Sequence, residues 1–491
     1  MRIKNWHRPQ GANYIAGFAI VTCVYTLIYL NKTSFLGTVL LLAGSLPFVY
    51  LLLFNKSVLL QIALFLVPLS IRIDTPFFGA AFSAPSEILL AMIVFFTSFI
   101  FIFFERFDSK LLRHPLVLLI TIDLSWMIFC SFTSEMPDVS FKRATMRFLF
   151  TTGLFIILIH LFKNKKLLAR PLLLYSIGLV PAIIFVWKAH AHFNFDSRTV
   201  FAISQPFYAD HTIYGACIAF VIPFVVILLF NSKLFITKRH HKPLLVVLLL
   251  VLILAEFLSF SRAALISLIL IFLLYLTMRV VKLKLLHLVA FLSIIGAFAF
   301  TFSSEIVSWA RSNDAVSNDG DITNHYKSVT NISKDASNLE RVNRWICAYE
   351  MFKERPITGY GPGTYQFVYA KFQTVENTTY ISTKNGDRGN AHSEYMTSLS
   401  ETGLIGLLIT ISILLYTIYF GLSLYYQQID LQLKYLVLAA LLGLITFFFH
   451  GLVNSFLDQD KMAALVYPAL ALLVAVDLYH TKPVSLQNTE V

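Results

Sequence analysis

The sequence predicts an all-α polytopic membrane protein of about fourteen transmembrane helices, within bounds of 12–14, with one large extracytoplasmic loop. Three observations predict it. Of 491 residues, 57% are hydrophobic and only 13% charged, against about 25% charged in an ordinary soluble domain. The apolar residues gather in fourteen runs, each close to the ~20 residues that cross a bilayer. Lys and Arg then alternate between successive connections as the positive-inside rule demands. Together these exclude a soluble enzyme, a disordered chain and a small disulfide scaffold.

The runs fall at 13–30, 35–54, 57–73, 86–104, 115–132, 146–162, 169–188, 212–231, 243–258, 263–280 and 284–302, then at 402–424, 433–453 and 462–479. The short basic start, Met1 to Gln10, meets no small-residue cleavage site after the first run, so an uncleaved first span is expected rather than a signal peptide. With both termini inside, the inner segments hold 20 of the 39 Lys and Arg, the short outer loops 9 and the loop 303–401 the other 10. Long translocated loops escape the bias, so 20 against 9 decides the orientation. The net charge of +12 is thus mostly a topology signal, and no exposed basic domain suggests a nucleic-acid partner. The four cysteines suggest neither a disulfide framework nor a metal site.

Four regions follow: amino-terminal helices over 1–188, helices carrying outward arginines over 189–302, the large loop 303–401, and carboxy-terminal helices over 402–491. Cations on the outer side run against the rule and need a reason. They are Arg198, Arg262, the cluster Lys142, Arg143 and Arg147, and Arg341 and Arg344 in the large loop. The basic cluster reads first as a simple interfacial anchor, and otherwise as an attractor of anionic lipid or of an acceptor's phosphates. The spans themselves are expected to hold almost no charge.

The first part of the large loop is rich in Asn, Asp and Ser. After it, Ser337 or Asn338 is placed to cap a helix that Pro356 ends. Trp345, Ala348, Met351 and Phe352 share one face of that helix, which suits a helix on the membrane surface, a lid over a cavity, or simple packing on the bundle. Gly359, Gly361 and Gly363 then alternate in GYGPGTYQF. Such a loop can bring amides to a phosphate or be a plain turn, and no GK[ST] follows to make it a Walker motif. His392 stands just ahead of the next apolar run, with Glu394 and Glu401 near it. His190, His192, His211 and His450 are assigned no chemistry.

These residues resemble a known family. The pattern His392-Ser393, nine residues, Gly403-x-x-Gly406 follows Arg341-x-x-x-Trp345 and Pro356-x-x-Gly359-x-Gly361-x-Gly363, and Arg262 sits earlier in SFSRAALISL. In this order, over roughly 190–460, they are similar to the bacterial O-antigen ligase and O-antigen polymerase superfamily, most of all to the ligase. The resemblance implies a fold like the all-helical membrane glycosyltransferases, in the bacterial inner membrane with the large loop periplasmic. It implies a glycan donor on undecaprenyl diphosphate, a lipid A–core acceptor, surrounding membrane lipids, and no cofactor or metal. Two departures stand out. Family ligases usually have about twelve spans, and the run TVFAISQPFYADH after Arg198 lacks the glycine and asparagine often found there.

The implied chemistry suits these residue types. Arginine pairs bidentately with phosphate oxygens and stays charged, so Arg262 and Arg198 are candidates to clamp the diphosphate. A sugar hydroxyl is a poor nucleophile, and a histidine that takes its proton is worth about 10²–10⁴-fold, the role expected of His392. Attack opposite the leaving diphosphate inverts the anomeric centre and needs no carboxylate pair. Arg341, Arg344, Glu394, Gly361 and Gly363 are the expected substrate-binding residues, and Tyr360, Tyr365 and Tyr395 are placed to stack on sugars. Two other readings stay open. A polymerase would use a lipid-linked acceptor; the glycine often found after ten intervening residues from its arginines is replaced by Ala209, Phe352 and Arg355 here. A lipid-linked oligosaccharide flippase would need cations along a central path.

Overall fold

Apolar runs become helices here because hydrocarbon offers backbone N–H and C=O groups no partner except each other. The computed structural model describes residues 50–51, 55, 57–75, 80–103, 108–235, 241–281, 336–373 and 389–481. Among the described residues, nine helices are long and apolar enough to cross a membrane. In chain order the elements are α1 (Ser57–Leu69), β1 (Ile71–Thr75), β2 (Ala80–Ala84), α2 (Ser86–Phe103), α3 (Pro115–Phe132), α4 (Pro137–Leu161) and α5 (Lys165–Ala191). Next come α6 (His211–Phe230), α7 (His241–Leu258), α8 (Arg262–Val280), α9 (Ala336–Glu354), α10 (Glu394–Gln427), α11 (Leu431–Val453) and α12 (Asp460–His480). The nine candidate spans are α3–α8 and α10–α12.

Fourteen spans are therefore not what the described residues contain. The runs at 13–30 and 284–302, and 35–54 up to residue 49, lie outside them. The run 57–73 breaks in two. Pro68 lies in the last turn of α1, and Ile71, Arg72, Ile73, Asp74 and Thr75 alternate with the period of a strand. That strand pairs antiparallel with β2, Ile71 opposite Ala84 and Thr75 opposite Ala80, so the chain is not purely α. The run expected at 146–162 starts nine residues earlier, at Pro137, where proline suits a first helical turn. Lys142, Arg143 and Arg147 therefore sit on a helix, not in a loop.

Helices α6, α11 and α12 form the centre; Ile218, Val437 and Leu473 are wholly buried there, and the other spans wrap around them. One end of the bundle is basic. His480 Nε2 donates to Phe162 O (2.8 Å), Lys163 lies 5.3 Å over the Tyr479 ring, and Lys165 pairs with Asp430. Lys110, Arg113, Lys166, Arg170, Lys233, Lys242, Arg279 and Lys434 belong to the helix ends on that side. The opposite end collects the turns after α3, α5, α7 and α11 together with α9.

Candidate active site at the end opposite the lysines

The helix α10 is broken inside. Gly403 has φ 72° and ψ −168°, which interrupts the hydrogen-bond ladder and strands the carbonyls before it. Neighbouring chain satisfies them. Tyr360 N donates to Ser400 O (3.0 Å), Gly361 N to Glu401 O (2.9 Å) and Trp126 Nε1 to Thr402 O (2.9 Å). Leu404 N donates to Pro356 O (2.8 Å). A Cβ on Gly403 would stand 2.1 Å from Ile357 O, and one on Gly361, at φ 110°, would stand 2.0 Å from Ser134 Oγ. The Pro356–Gly363 segment is thus the plug of a broken membrane helix.

The Glu401 carboxylate completes the plug, accepting from Gly363 N (2.7 Å) and Tyr365 N (3.1 Å). The amides of Gly361 and Gly363 are therefore engaged by Glu401, not turned toward open space. Tyr360 and Tyr365 are buried, Tyr365 stacked on Tyr369 and Tyr360 edge-on to Phe372. Tyr395 is half-buried, and its hydroxyl donates to Phe448 O (3.1 Å). The rings of Tyr360 and Tyr365 are thus closed to the sugar stacking expected of them. The α9 helix packs on this same small core through Cys347, Ala348 and Met351, and Tyr349 faces out.

His392 stands two residues before α10, in the left-handed region at φ 49°. Its amide donates to Asn390 Oδ1 (2.9 Å) and its carbonyl accepts from Trp345 Nε1 (3.3 Å). Among the described residues, neither ring nitrogen has a hydrogen-bond partner. Burial, with Arg344 and Arg341 beside the ring, pushes its pKa down to about 3, against a smaller upward pull from Asp210. The imidazole is neutral at physiological pH and can accept a proton.

Arg344 is buried; its Nε donates to Glu340 (2.8 Å), and another guanidinium nitrogen to Asn390 O (3.1 Å). Arg341 Nε donates to Val453 O (3.2 Å). Arg262 opens α8 just past Phe260, itself at φ 52°, and α8 packs on α11, where Ser267 Oγ meets His450 Nε2 (3.5 Å). One residue past His450, Gly451 O accepts from Ser393 Oγ (3.1 Å). Arg262 and His392 thus stand against the same end of α11. Asp210, which reaches His392 electrostatically, caps α6. Arg198 lies in the short turn Ser197–Thr199.

Glu394 does not turn to the histidine ring. Its carboxylate accepts from Phe456 N (2.5 Å), Leu457 N (2.8 Å) and Ser455 Oγ (3.3 Å), holding the turn after α11. That turn carries Asp458, which pairs with Arg143 (2.7 Å) and Arg147 (2.6 Å), Arg147 also reaching Asp123 (3.4 Å). Burial pushes the Asp458 carboxyl up; Arg147 and Arg143 more than offset this and hold it below the ordinary carboxylate range.

Two expectations are corrected here. Arg143 and Arg147 are not interfacial anchors but the cationic half of an inward cluster. The spans also hold charge: Asp123 in α3, Glu256 in α7, and the Asp460–Lys461 pair opening α12, where Lys461 Nζ donates to Val67 O (2.6 Å) and Ser70 O (2.8 Å). Among the described residues, no three of His, Cys, Asp and Glu converge as metal ligands do.

The fold and this end define a multi-pass membrane protein with a neutral histidine and several arginines gathered at one face of a helical bundle. Residues 245–411 match the family model described as O-antigen ligase. The match takes in Arg262, α9, the glycine plug, His392 and the break at Gly403. The turn after α11, Arg143 and Arg147 lie outside it, as does Arg198. No curated protein matches the chain.

Proposed function

We propose that the chain is an O-antigen ligase, moving a glycan from undecaprenyl diphosphate to a sugar hydroxyl of lipid A–core on the periplasmic face. The observation that carries this reading is His392: a neutral imidazole whose ring nitrogens have no hydrogen-bond partner among the described residues, flanked by Arg341 and Arg344, inside the O-antigen ligase match. The cations gathered at the other end support a cytoplasmic assignment for that end, and hence a periplasmic one for His392.

In the reaction His392 takes the proton of the acceptor hydroxyl as its oxygen attacks the anomeric carbon. The bond from that carbon to the diphosphate oxygen breaks, and the electron pair leaves with the diphosphate. Arg262 and Arg198 bind the charge that develops, in a half-dry setting where such contacts are stronger than in water. The outcome is inversion, without a glycosyl-enzyme intermediate. A diphosphate close to Arg341 and Arg344 offsets their field at the ring, so donor binding makes His392 a better base. Arg341, Arg344, Glu394, Gly361 and Gly363 serve substrate binding chiefly by holding the walls of this region, since each makes protein contacts of its own.

Reconstitution tests it. Purified protein in lipid, given an undecaprenyl-diphosphate oligosaccharide and lipid A–core, should form a glycosidic product, and His392→Ala should abolish it. Product from an undecaprenyl-linked acceptor but not from lipid A–core points to the polymerase; no product, with donor crossing the bilayer, points to a flippase.

A further inference from the structure

His392 occupies backbone space that non-glycine residues rarely hold unless their surroundings impose it. What imposes it here is a side chain two residues earlier. Asn390 Oδ1 accepts from the His392 amide at 2.9 Å, and Asn390 Nδ2 donates to Ser455 O at 3.0 Å. One planar amide thus reads the histidine with its acceptor and the turn after α11 with its donor. Asparagine carries both functions on one group; aspartate offers two acceptors, and alanine neither.

The turn on the far side of that bridge is itself tied down. Glu394 N donates to Asn454 O (3.1 Å), the Glu394 carboxylate holds Ser455, Phe456 and Leu457, and Arg341 holds Val453 O. Asp458 closes it with Arg143 and Arg147. The Asn390 backbone is fixed too, since its carbonyl accepts from Arg344. A bridge anchored at both ends transmits the position of the bundle to the histidine.

We propose that Asn390 is the positioning residue of His392, locking the strained histidine to the turn Val453–Asp458 and so setting where its ring stands. This rests on the function proposed above. Both functions of its side-chain amide are engaged by protein, the acceptor by His392 and the donor by Ser455, so it acts through the histidine.

The test uses full-length protein in lipid nanodiscs, with an undecaprenyl-diphosphate oligosaccharide as donor and lipid A–core as acceptor. Variants are His392→Ala, Asn390→Ala and Asn390→Asp, each corrected for its folded fraction by size exclusion. With Asn390→Ala, kcat should fall roughly 10–100-fold at unchanged donor KM, the scale expected when a catalytic group moves by about 1 Å. Asn390→Asp keeps the acceptor and loses the donor, so its kcat should fall less. A second readout separates positioning from folding. Among the described residues, Arg341, Arg344 and Asp210 are the charged groups that act on the buried ring, and a ring released from burial and from the arginines gains an acid limb in its kcat/KM profile near pH 6.5 that the parent lacks.

Parental kcat in Asn390→Ala, or a loss confined to KM, while His392→Ala is inactive, overturns the positioning role and leaves the proposed function standing. Normal transfer by His392→Ala overturns the function itself. If Asn390→Ala does not fold, Asn390→Asp decides: a reduced kcat with the new acid limb supports the proposal, and parental kcat ends it.

Discussion

Gly363 donates its amide to a Glu401 carboxylate oxygen 2.7 Å away, which ties the glycine segment to the broken helix it plugs. The break at Gly403 leaves carbonyls that hydrocarbon cannot satisfy, and the plug brings amides to them. A side chain at 361 has no room: its Cβ would meet Ser134 Oγ at 2.0 Å, in a backbone region that disfavours L-residues. Gly361→Ala should therefore cost roughly 2–6 kcal/mol, combining strain of about 1–3 with overpacking of about 1–3. Thermal unfolding in detergent measures it, and an unchanged melting temperature would contradict the plug.

Asp458 carries two arginines. Its removal leaves Arg147, buried in α4, with Asp123 as its remaining carboxylate partner, at a longer 3.4 Å. Loss of one side of a buried pair costs about 3–5 kcal/mol, and the part-exposed Arg143 places Asp458→Ala near the lower figure. Adding Arg147→Met should recover part of the loss, since an apolar side chain of similar length needs no partner. The double variant as unstable as the single would show that the pair is not the cause. The depressed pKa gives the sign with pH. The unfolded state binds the proton first on acidification, so this contribution is present above the ordinary aspartate range near 3.9 and is lost below it.

Hydropathy made most of this architecture legible. The runs 115–132, 169–188, 212–231, 243–258, 263–280, 433–453 and 462–479 match helices to within a few residues, because a spanning helix is written locally in apolar length. The start of α4 was hidden because Lys142, Arg143 and Arg147 lower the average there, and the carboxylates that make their burial possible are far away in sequence. Arg147 and Asp458 lie 311 positions apart, a pairing no local pattern encodes. His392 and the glycine spacing were visible as motif, yet what the glycines do was not. Their partners are backbone carbonyls at a helix break, and carbonyls leave no mark in composition. Glu394 misled for a related reason: two positions from His392 suggests contact with the ring, but its carboxylate is taken by the amides of Phe456 and Leu457.

The pH dependence of His392 has a definite direction. Its pKa is about 3 in the folded protein, against about 6.5 unfolded, so the neutral form is favoured by folding. This contribution to stability is fully present above pH 6.5 and declines as pH falls toward 3. Catalytically, the ring remains a competent proton acceptor well below pH 6. kcat/KM, which reports the free enzyme, should therefore show no acid limb from this histidine between pH 8 and about pH 5. An inflection near 6.5 would place the ring in water, away from Arg341 and Arg344.

Arg262 offers the sharpest test of the diphosphate clamp. It opens α8 at the end of the bundle that holds His392, and both adjoin the same end of α11. If its part is to hold a leaving diphosphate, charge alone will not do, because the guanidinium fork matches two phosphate oxygens and an ammonium does not. Arg262→Lys should lose most of the activity that Arg262→Ala loses, on the order of 10²–10³-fold in kcat by analogy with removal of one donor to developing negative charge. A role limited to anchoring at the membrane interface predicts the opposite ranking, since lysine snorkels as well as arginine. Measuring kcat for both variants, with surface expression held equal, distinguishes the two: near-parental turnover in Arg262→Lys assigns this residue to the interface and moves the search for the clamp to Arg198 and Arg341.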